Sequence, residues 1–580
     1  MFKLFSLAAV SILLASCAGG ARVATPPVSH DDFIHADPVV HMNSQSMWVD
    51  AVMASLTPRE RIAQLFMVAG YSNREPAHAD SLERLVREVG IGGVVWFQGG
   101  PVKQTAIANR LQRAAKVPLL YAMDAEWGIG MRLDSTVSFP YQMSLGAIPD
   151  ETLIEQMGSL IATDFRRLGM HVNFAPVADV NNNPANPVIS YRSFGEDRSN
   201  VAIKAMAYTN GLQTSGVLTS GKHFPGHGDT DVDSHYALPL IKHDRSRLDS
   251  LELYPFRRML DNGLAGVMIA HLSIPSLDDT PNLPSTLSEP IVTGLLRNEL
   301  GFKGLVFSDA MNMKGVTDHF PTGEAEIRAL LAGNDILELT PNIPRAIDSI
   351  EAAIREGRIT QEYIDAKVRK VLAAKQWVGL DKWSPIELGN ITADLNSQAA
   401  DRLNRQLAAN FVTLARHTTS ILPLKPANRV AVLSIGPTER SPFQMSLGDG
   451  YYPYWLGWQT SEAMADAVAE ALKGYDQVVI AVHDMRRRPL NRLTIPEWIQ
   501  RLIAEQSELP NRALVLFSNP YTWLQIDGAD NFGTLVFAYE NTSYSQAAVA
   551  DIMLGNKSAV GRLPVSLSPN LTYGTNVRIQ

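Results

Sequence analysis

The segment KHFPGHGDTDVDSH, Lys222 to His235, holds a lysine, three histidines and three aspartates in one short, glycine-broken stretch. Asp233 and His235 are two residues apart, and in an extended loop such residues point the same way. Asp233 can therefore accept a hydrogen bond from one ring nitrogen of His235 and leave the other nitrogen free to donate a proton. We predict that this pair acts as a general acid and then as a general base. Gly226 and Gly228 are predicted to let the loop close over a substrate.

A metal site is an alternative interpretation of the same segment. His223 and His227 are four residues apart, a spacing that suits two ligands on a helix. Pro225, Gly226 and Gly228 prevent a stable helix there, so the spacing loses that meaning. Ligands presented from a loop, or a plain polar turn, remain alternatives. Proton transfer is the favoured interpretation, with no metal and no cofactor.

A proton donor of this kind needs a partner, and Asp309 in the run FSDAMNMKG is the best candidate. It follows an apolar strand and precedes residues that favour a helix. A single carboxylate at that position is placed like a nucleophile. The alternative is an aspartate that only caps the next helix.

Short apolar runs that end in polar or glycine-rich residues alternate with amphipathic helical stretches through the first part of the chain. One run lies near Leu65 to Ala69, and the others are IGGVVWFQGG, VPLLYAMDAE, HVNFAPVADV, GVLTSGKHFPGH, LAGVMIAHLS, KGLVFSDAMN and GNDILELTP. Continuous apolar strands that alternate with helices indicate a parallel sheet covered on both faces. About eight strands favour an N-terminal (β/α)8 barrel of the TIM type over an open sheet.

Charged and imidazole side chains recur at the carboxyl ends of these predicted strands. They are Asp124, Asp179, Lys222, His223, His271 and Asp309. In such barrels the active site lies at this end of the sheet. The strand ends therefore predict a catalytic barrel.

A second, smaller layered α/β domain is predicted to follow the barrel. A helix around Ala399 to Ala415 precedes four apolar runs, RVAVLSIG, QVVIAVHD, ALVLFSNPYTW and TLVFAYENT. The predicted boundaries are a signal peptide at 1–16, a lipidated cysteine and tether at 17–45, the barrel at 46–380, a linker at 381–398 and the second domain at 399–580.

The N-terminus resembles a bacterial lipoprotein signal. Lys3 precedes a short apolar core, and LLASC places small residues before Cys17, the single cysteine of the chain. We expect lipidation of Cys17, a membrane attachment through that lipid, and display in the cell envelope. A simple secretory signal is the alternative. With one cysteine, no disulfide forms within the chain, so stability comes from packing.

The charge balance argues against nucleic acid as a partner. The chain of 580 residues carries a formal net charge of −8 and no long basic run. A neutral or modestly charged small ligand is the expected partner. The sequence does not define an oligomeric state.

The motifs KHFPGHGDTDVDSH, FSDAMNMKGV, YRSFGED and AGNDILELTP together resemble glycoside hydrolase family 3, in its β-N-acetylglucosaminidase branch. The resemblance runs from about Trp48 to Lys375 and continues more loosely through the second domain. It implies a retaining mechanism in two steps, with Asp309 as nucleophile and His235, paired with Asp233, as acid/base. Ala310 after the nucleophile favours this branch over the β-glucosidase branch, which usually has tryptophan there.

The same resemblance implies a set of sugar contacts, and the substrate would carry a terminal β-GlcNAc. The implied contact residues are Asp124, Arg132, Arg192, Lys222 and His223. For the arginines the alternative is a buried salt-bridge network at the barrel rim. Export to the envelope makes cell-wall glycans the expected substrates, and other β-GlcNAc glycans are the alternative. The competing functions are a β-glucosidase of the same family, a metal-dependent amidohydrolase, and a glycan-binding lipoprotein without catalysis.

Overall fold

The computed structural model describes residues 37–231, 237–486 and 492–578, which belong to one compact unit. Cys17, Asp233 and His235 lie outside the described residues. Within the described ranges, no helix combines the length and the apolar character needed to cross a membrane.

A parallel β-barrel forms the N-terminal domain, as the sequence predicts. In the described part of the chain its eight strands are β1 Phe66–Gly70, β2 Gly93–Trp96, β3 Leu120–Met123, β4 Val172–Asn173, β5 Leu218–Phe224, β6 Gly266–Ile269, β7 Leu305–Ser308 and β8 Leu337–Glu338. The strands pair in parallel in the order β7-β6-β5-β4-β3-β2-β1-β8. A further parallel bridge between Phe307 and Ile336 joins β7 to the start of β8 and closes the barrel.

The strands of the barrel are covered on both faces. Every residue of β2, β3, β5, β6 and β7 is buried. Strands buried on both faces read as continuous apolar runs, which is why the sequence reveals them.

Helices surround the barrel and precede or follow its strands. They are α1 Pro38–Met42, α2 Met47–Ser55, α3 Pro58–Ala63, α4 Pro76–Arg84, α5 Pro101–Ala114, α6 Gln142–Gly146, α7 Thr152–Arg167, α8 Arg198–Gln213, α9 Arg245–Ser250, α10 Leu253–Asp261, α11 Lys314–Thr317, α12 Glu324–Ala332, α13 Ile343–Arg355 and α14 Gln361–Trp377. Leu85–Val89 and Pro290–Glu299 are π-helical, and shorter 3-10 turns are Ile129–Met131, Ser190–Arg192, Ser285–Leu287 and Leu380–Lys382.

The N-terminal end of the described chain is more ordered than a tether. Asp37 caps α1, and the helix packs on α14. Residues 38–42, which the sequence assigns to the tether, therefore belong to the folded body. The side chain of Asn43 extends this attachment, because it donates to the carbonyl of Lys303.

The second domain is built on a separate sheet. Its strands are β9 Thr413–His417, β10 Val430–Gly436, β11 Tyr452–Gly457, β12 Gln477–His483, β13 Arg512–Phe517 and β14 Thr534–Phe537. Its helices are α15 Ile391–Asp394, α16 Gln398–Phe411, α17 Pro442–Leu447, α18 Glu462–Leu472, α19 Glu497–Ser507 and α20 Ser543–Met553, with 3-10 turns at Pro520–Gln525 and Ala529–Asn531. The order of the strands is β11-β10-β12-β13-β14-β9, with β9 antiparallel to β14 and the other pairs parallel.

Two features of this domain differ from the sequence prediction. The helix expected to reach Ala415 ends at Phe411, and the residues after it form β9 at the edge of the sheet. Strand β11, at the opposite edge, is absent from the predicted strands. Its sequence YPYWLG contains proline and glycine, residues that lower strand propensity and are tolerated at sheet edges.

Hydrogen bonds join loops of the barrel to the second domain. They are Asn181 Nδ2 to Tyr521 OH at 2.9 Å, Asn519 Nδ2 to Ser190 Oγ at 2.8 Å, Tyr141 N to Glu540 Oε2 at 3.2 Å and Ser566 N to Glu196 Oε2 at 2.9 Å. Burial raises the pKa of Glu540 to about 7.

Candidate active site

A cavity of about 440 Å³ lies at the carboxyl end of the barrel strands, where the sequence predicts the chemistry. Its volume is in the range of small-molecule sites. The charged and imidazole residues that line it come from different strand ends and are Asp124, Glu126, Arg132, Arg192, Lys222, His223, His227, Asp309 and Glu338.

Asp309 follows β7 directly and faces this cavity. Its Oδ1 accepts a hydrogen bond from Ala310 N at 2.7 Å, and its own backbone N donates to Ile269 O at 3.0 Å. His271 is fully buried, and its Nε2 lies 3.1 Å from Ala310 O. The backbone around the carboxylate is therefore held by the neighbouring strand β6 and by His271, which follows it.

Lys222 joins the buried carboxylate of Glu126 to the partly buried carboxylate of Asp124. Its Nζ donates to Asp124 Oδ1 at 2.7 Å and lies 2.9 Å from Glu126 Oε1. Arg132 Nη2 donates to Asp124 Oδ2 at 2.6 Å. Arg192 binds Glu126 with two nitrogens, Nε to Oε2 at 3.0 Å and Nη2 to Oε1 at 2.7 Å. Three cations thus surround two carboxylates in one connected network.

The network keeps its carboxylates ionised. Burial alone would raise the pKa of Asp124, but the charges of Lys222 and Arg132 outweigh it and hold that pKa below its ordinary value. Burial is likewise the largest influence on Glu126, yet Arg192 and Lys222 bring its pKa to about 2. Charged hydrogen-bonding groups in fixed positions can bind sugar hydroxyls more strongly than neutral groups can.

His223 is oriented by a carboxylate beneath the cavity. Its Nδ1 lies 2.7 Å from Asp179 Oδ2, and its Nε2 lies 3.5 Å from Arg192 Nη2. Asp179 is fully buried and also accepts from the backbone N of His227 at 2.7 Å. Such a second contact fixes the orientation of the imidazole ring. Burial lowers the pKa of His227 to about 4, so this ring is neutral near neutral pH.

Lys222 and His223 are successive residues of β5, they are joined by a cis peptide bond, and both line the cavity. In a regular strand Lys222 and His223 would point to opposite faces. The pairing of β5 with β6 shifts between Gly221 and Phe224. Such irregularities redirect side chains beside active sites.

The described start of the predicted acid/base loop is packed onto the barrel. Asn186 Nδ2 donates to His227 O at 2.9 Å and to Gly228 O at 3.0 Å. Gly228 lies so close to Val180 that a Cβ atom would come within 1.9 Å of Val180 O. Close packing therefore requires glycine at Gly228, and the predicted closing of the loop stays a prediction.

Aromatic side chains form further walls of the cavity. Tyr71 and Phe97 stack with ring centroids 5.3 Å apart. Trp127 and Tyr191 lie 5.9 Å apart, and Tyr141 packs behind Tyr191 at 4.7 Å. Such rings offer apolar surface together with polar edges, a combination suited to a sugar.

Within 37–231, 237–486 and 492–578, no group of three or more His, Cys, Asp or Glu side chains is arranged to hold a metal ion.

The sequence matches the family model described as "Glycosyl hydrolase family 3 N terminal domain" over residues 57–374, more than half of the chain. The chain belongs to glycosyl hydrolase family 3. The chain is 28% identical over 549 residues to "Beta-hexosaminidase A" of Pseudoalteromonas piscicida. That match covers 84% of this chain and 91% of the relative. The chain is 33% identical over 388 residues to "Beta-hexosaminidase LpqI" of Mycobacterium tuberculosis, covering 64% of this chain and 96% of that protein.

A solved family 3 structure has the same architecture. It is the β-N-acetylglucosaminidase from Paenibacillus sp. str. FPU-7, with 31% identity and a TM-score of 0.75. The match covers 90% of this chain and 100% of that chain. The predicted fold, a barrel followed by an α/β domain, is confirmed.

The predicted site residues of this family 3 chain fall into two groups. One group lines the single cavity described above and comprises Asp124, Arg132, Arg192, Lys222, His223 and Asp309. The other group, His235 and Asp233, lies outside the described residues, so the acid/base pair stays a prediction. Arg132 and Arg192 combine both interpretations of the sequence, because they belong to a salt-bridge network and also face the cavity.

Sequence reasoning missed two carboxylates of the family 3 cavity, Glu126 and Glu338. Glu126 follows Asp124 by two residues, the same spacing that drew attention to Asp233 and His235. Glu338 ends β8 in the run ILELTP. An acidic residue at the carboxyl end of an otherwise apolar run could have identified it as a candidate site residue.

Proposed function

We propose that this chain is a retaining, exo-acting β-N-acetylglucosaminidase that releases terminal β-GlcNAc from glycans. The observation that carries the proposal is the position of Asp309 in one cavity with Asp124, Lys222 and Arg192. A carboxylate at a barrel rim that faces a cluster of charged hydrogen-bonding groups suits attack on a sugar held by its hydroxyls. The β-hexosaminidase names of the relatives support the choice of an N-acetylated sugar.

The proposed reaction has two steps. In the first step, a carboxylate oxygen of Asp309 bonds to the anomeric carbon, and the bond from that carbon to the leaving oxygen breaks. His235, oriented by Asp233, gives its proton to the leaving oxygen. In the second step, water attacks the glycosyl ester while His235 takes a proton from it. Free GlcNAc with retained configuration and the Asp309 carboxylate result.

The nucleophile is tested by trapping the ester. A 5-fluoro glycosyl fluoride of N-acetylglucosamine should inactivate the enzyme, and mass spectrometry should find the label on the peptide that contains Asp309. Asp309→Ala should lower the hydrolysis of aryl β-N-acetylglucosaminides by at least about 10³-fold. Its matched control is Asp335→Asn, at the amino end of the barrel, which should keep the activity of the folded protein. Label on another residue, or an active Asp309→Ala, would contradict the proposal.

The acid role of His235 has a separate signature. His235→Ala should slow substrates with poor leaving groups more than those with good ones, because only the former need a proton. Equal slowing of both would reject the assignment.

The natural substrate is proposed to be a cell-wall or other envelope glycan, since the N-terminal segment resembles a lipoprotein signal. Hydrolysis of defined GlcNAc-terminated cell-wall fragments tests the substrate, and palmitate labelling that disappears in Cys17→Ala tests the anchor. Preference for aryl β-glucosides over N-acetylglucosaminides would instead place the chain with the β-glucosidases of the family.

A further inference from the structure

Glu338 is a buried carboxyl group that the proposed mechanism does not use. It ends β8, lines the cavity, and is only 4% exposed. Among the described residues, its Oε1 is buried and has no hydrogen-bond partner. A buried polar atom without a partner is costly, and such atoms in a cavity call for an explanation.

The backbone of Glu338 already accounts for its structural role. Its N donates to Ser308 Oγ at 3.0 Å, and its carbonyl accepts from Met311 N at 2.8 Å. These contacts tie β8 to the segment that carries Asp309, and they do not involve the side chain. The carboxyl group is therefore left for the cavity.

The charges that face Glu338 come from three other strands. Asp124 follows β3, Asp309 follows β7, and Lys222 lies on β5. The neighbouring strand β1 pairs Met67 with Glu338 and brings no charge. Among the described residues, no hydrogen bond joins Lys222 to Glu338, because Lys222 already binds Asp124 and Glu126.

Ionisation of Glu338 would place another negative charge beside two carboxylates. Burial is the largest cause that raises the pKa of Glu338 well above its ordinary value, and the charges of Asp124 and Asp309 add to it, while Lys222 opposes them. A neutral carboxyl group differs from its ionised neighbours in one respect that matters here, because it can donate a hydrogen bond.

We propose that Glu338 works as a neutral carboxylic acid and donates a hydrogen bond to a hydroxyl oxygen of the sugar in the cavity. The inference rests on the proposed function, since it takes a sugar as the occupant. The cavity then offers the sugar a fixed donor from Glu338 beside the ionised groups of Asp124 and Lys222. A bound ligand would give the orphaned carboxyl group its partner.

The test compares Glu338→Gln with Glu338→Ala. An aryl β-N-acetylglucosaminide with a good leaving group is the substrate, because its cleavage needs no proton and the titration of His235 then does not shape the profile. Glutamine keeps a donor and cannot ionise, so Glu338→Gln should lose less than about fivefold in kcat/KM near neutral pH, whereas Glu338→Ala should lose about tenfold to a hundredfold.

The pH dependence of kcat/KM distinguishes a Glu338 side chain that donates a hydrogen bond from one that only fills space. In the unaltered enzyme kcat/KM should fall as pH rises through the pKa of Glu338, because the ionised group has lost its donor. That alkaline fall should be absent in Glu338→Gln. The matched control is Glu326→Gln, which changes another buried glutamate whose pKa is raised by burial but which lies outside the cavity. An alkaline fall retained in Glu338→Gln, or equal losses in both Glu338 variants, would overturn the proposal.

Infrared difference spectra test the same group without turnover. At neutral pH the spectrum of the unaltered protein minus that of Glu338→Gln should contain the C=O band of one protonated carboxyl, and this band should shift when N-acetylglucosamine is added. Absence of the band, or a band that N-acetylglucosamine leaves unchanged, would refute the hydrogen bond. A band that shifts in a protein that hydrolyses no aryl glycoside would support the hydrogen bond and reject the proposed function.

Discussion

Two buried lysines at opposite ends of the barrel show how differently one residue type can be used. Lys222, at the carboxyl end, is 2% exposed and Lys375, on α14, is fully buried. Lys222 contacts the carboxylates of Asp124 and Glu126. Lys375 donates to the neutral amide oxygen of Gln64 at 2.7 Å, and no carboxylate of the described residues pairs with it.

The partners decide whether the buried amine carries a charge. Burial lowers the pKa of both lysines, but Asp124 and Glu126 outweigh it at Lys222 and raise its pKa. Nothing offsets burial at Lys375, and its pKa falls to about 7. The carboxyl end thus holds a fixed charge next to a cavity, whereas the amino end holds an amine that is largely neutral above pH 7. Burial of a titratable residue alone does not identify an active site.

Of the changes that test this comparison, Lys222→Met should have the largest effect on activity. This change leaves Asp124 and Glu126 without their shared cation, and kcat/KM for an aryl β-N-acetylglucosaminide should fall by about 10²-fold to 10³-fold. Steady-state kinetics and thermal unfolding measure the two consequences separately. Lys375→Met is the matched variant and should keep kcat/KM. Similar activity in both variants would contradict the distinction.

A smaller effect is expected when the charge stays but the geometry changes. Arg192→Lys keeps a cation near Glu126 and loses the two-nitrogen contact, so kcat/KM should fall by about tenfold. Arg297→Lys is the control at the amino end, where Arg297 pairs with Asp335 at 2.6 Å. That control should affect stability and leave kcat/KM near its original value. An unchanged kcat/KM in Arg192→Lys would mean that any cation suffices at this position.

The last effect concerns stability alone and leaves kcat/KM unchanged. The pKa of Lys375 is about 7 in the folded protein and lies near 10.4 for an unfolded lysine, so between these values the unfolded chain holds a proton that the folded protein lacks. The free energy of unfolding should therefore rise with pH, by about 1–3 kcal/mol between pH 7 and pH 9, relative to Lys375→Met. Denaturant unfolding at the two pH values measures this difference. Parallel pH dependence in both proteins would show that Lys375 is charged when folded.

The barrel was predictable because its strands carry their signal locally. Runs such as GVVW and LVF are apolar throughout, and each is buried in the barrel. Strand β9 was missed because TLARH continues directly from a helix and contains good helix formers. Its pairing with β14 depends on residues more than a hundred positions away, which local propensity cannot register.

The site residues that lie at the carboxyl ends of barrel strands could be predicted from the sequence. Asp124, Lys222 and Asp309 belong to different strands, and the barrel topology brings them to one cavity. Glu126 and Glu338 were missed because their importance depends on burial and on charged neighbours. Those neighbours are distant in sequence, and only the folded barrel brings them together.

The contact between Asn519 and Ser190 lets the second domain support a wall of the cavity without lining the cavity itself. Ser190 stands two residues before Arg192, and the described residues around the cavity all come from the barrel. The second domain thus contacts the 3-10 turn that carries Arg192. Natural variation at Asn519 would then adjust affinity at a distance, which gives evolution a way to retune the enzyme while every reacting group stays the same.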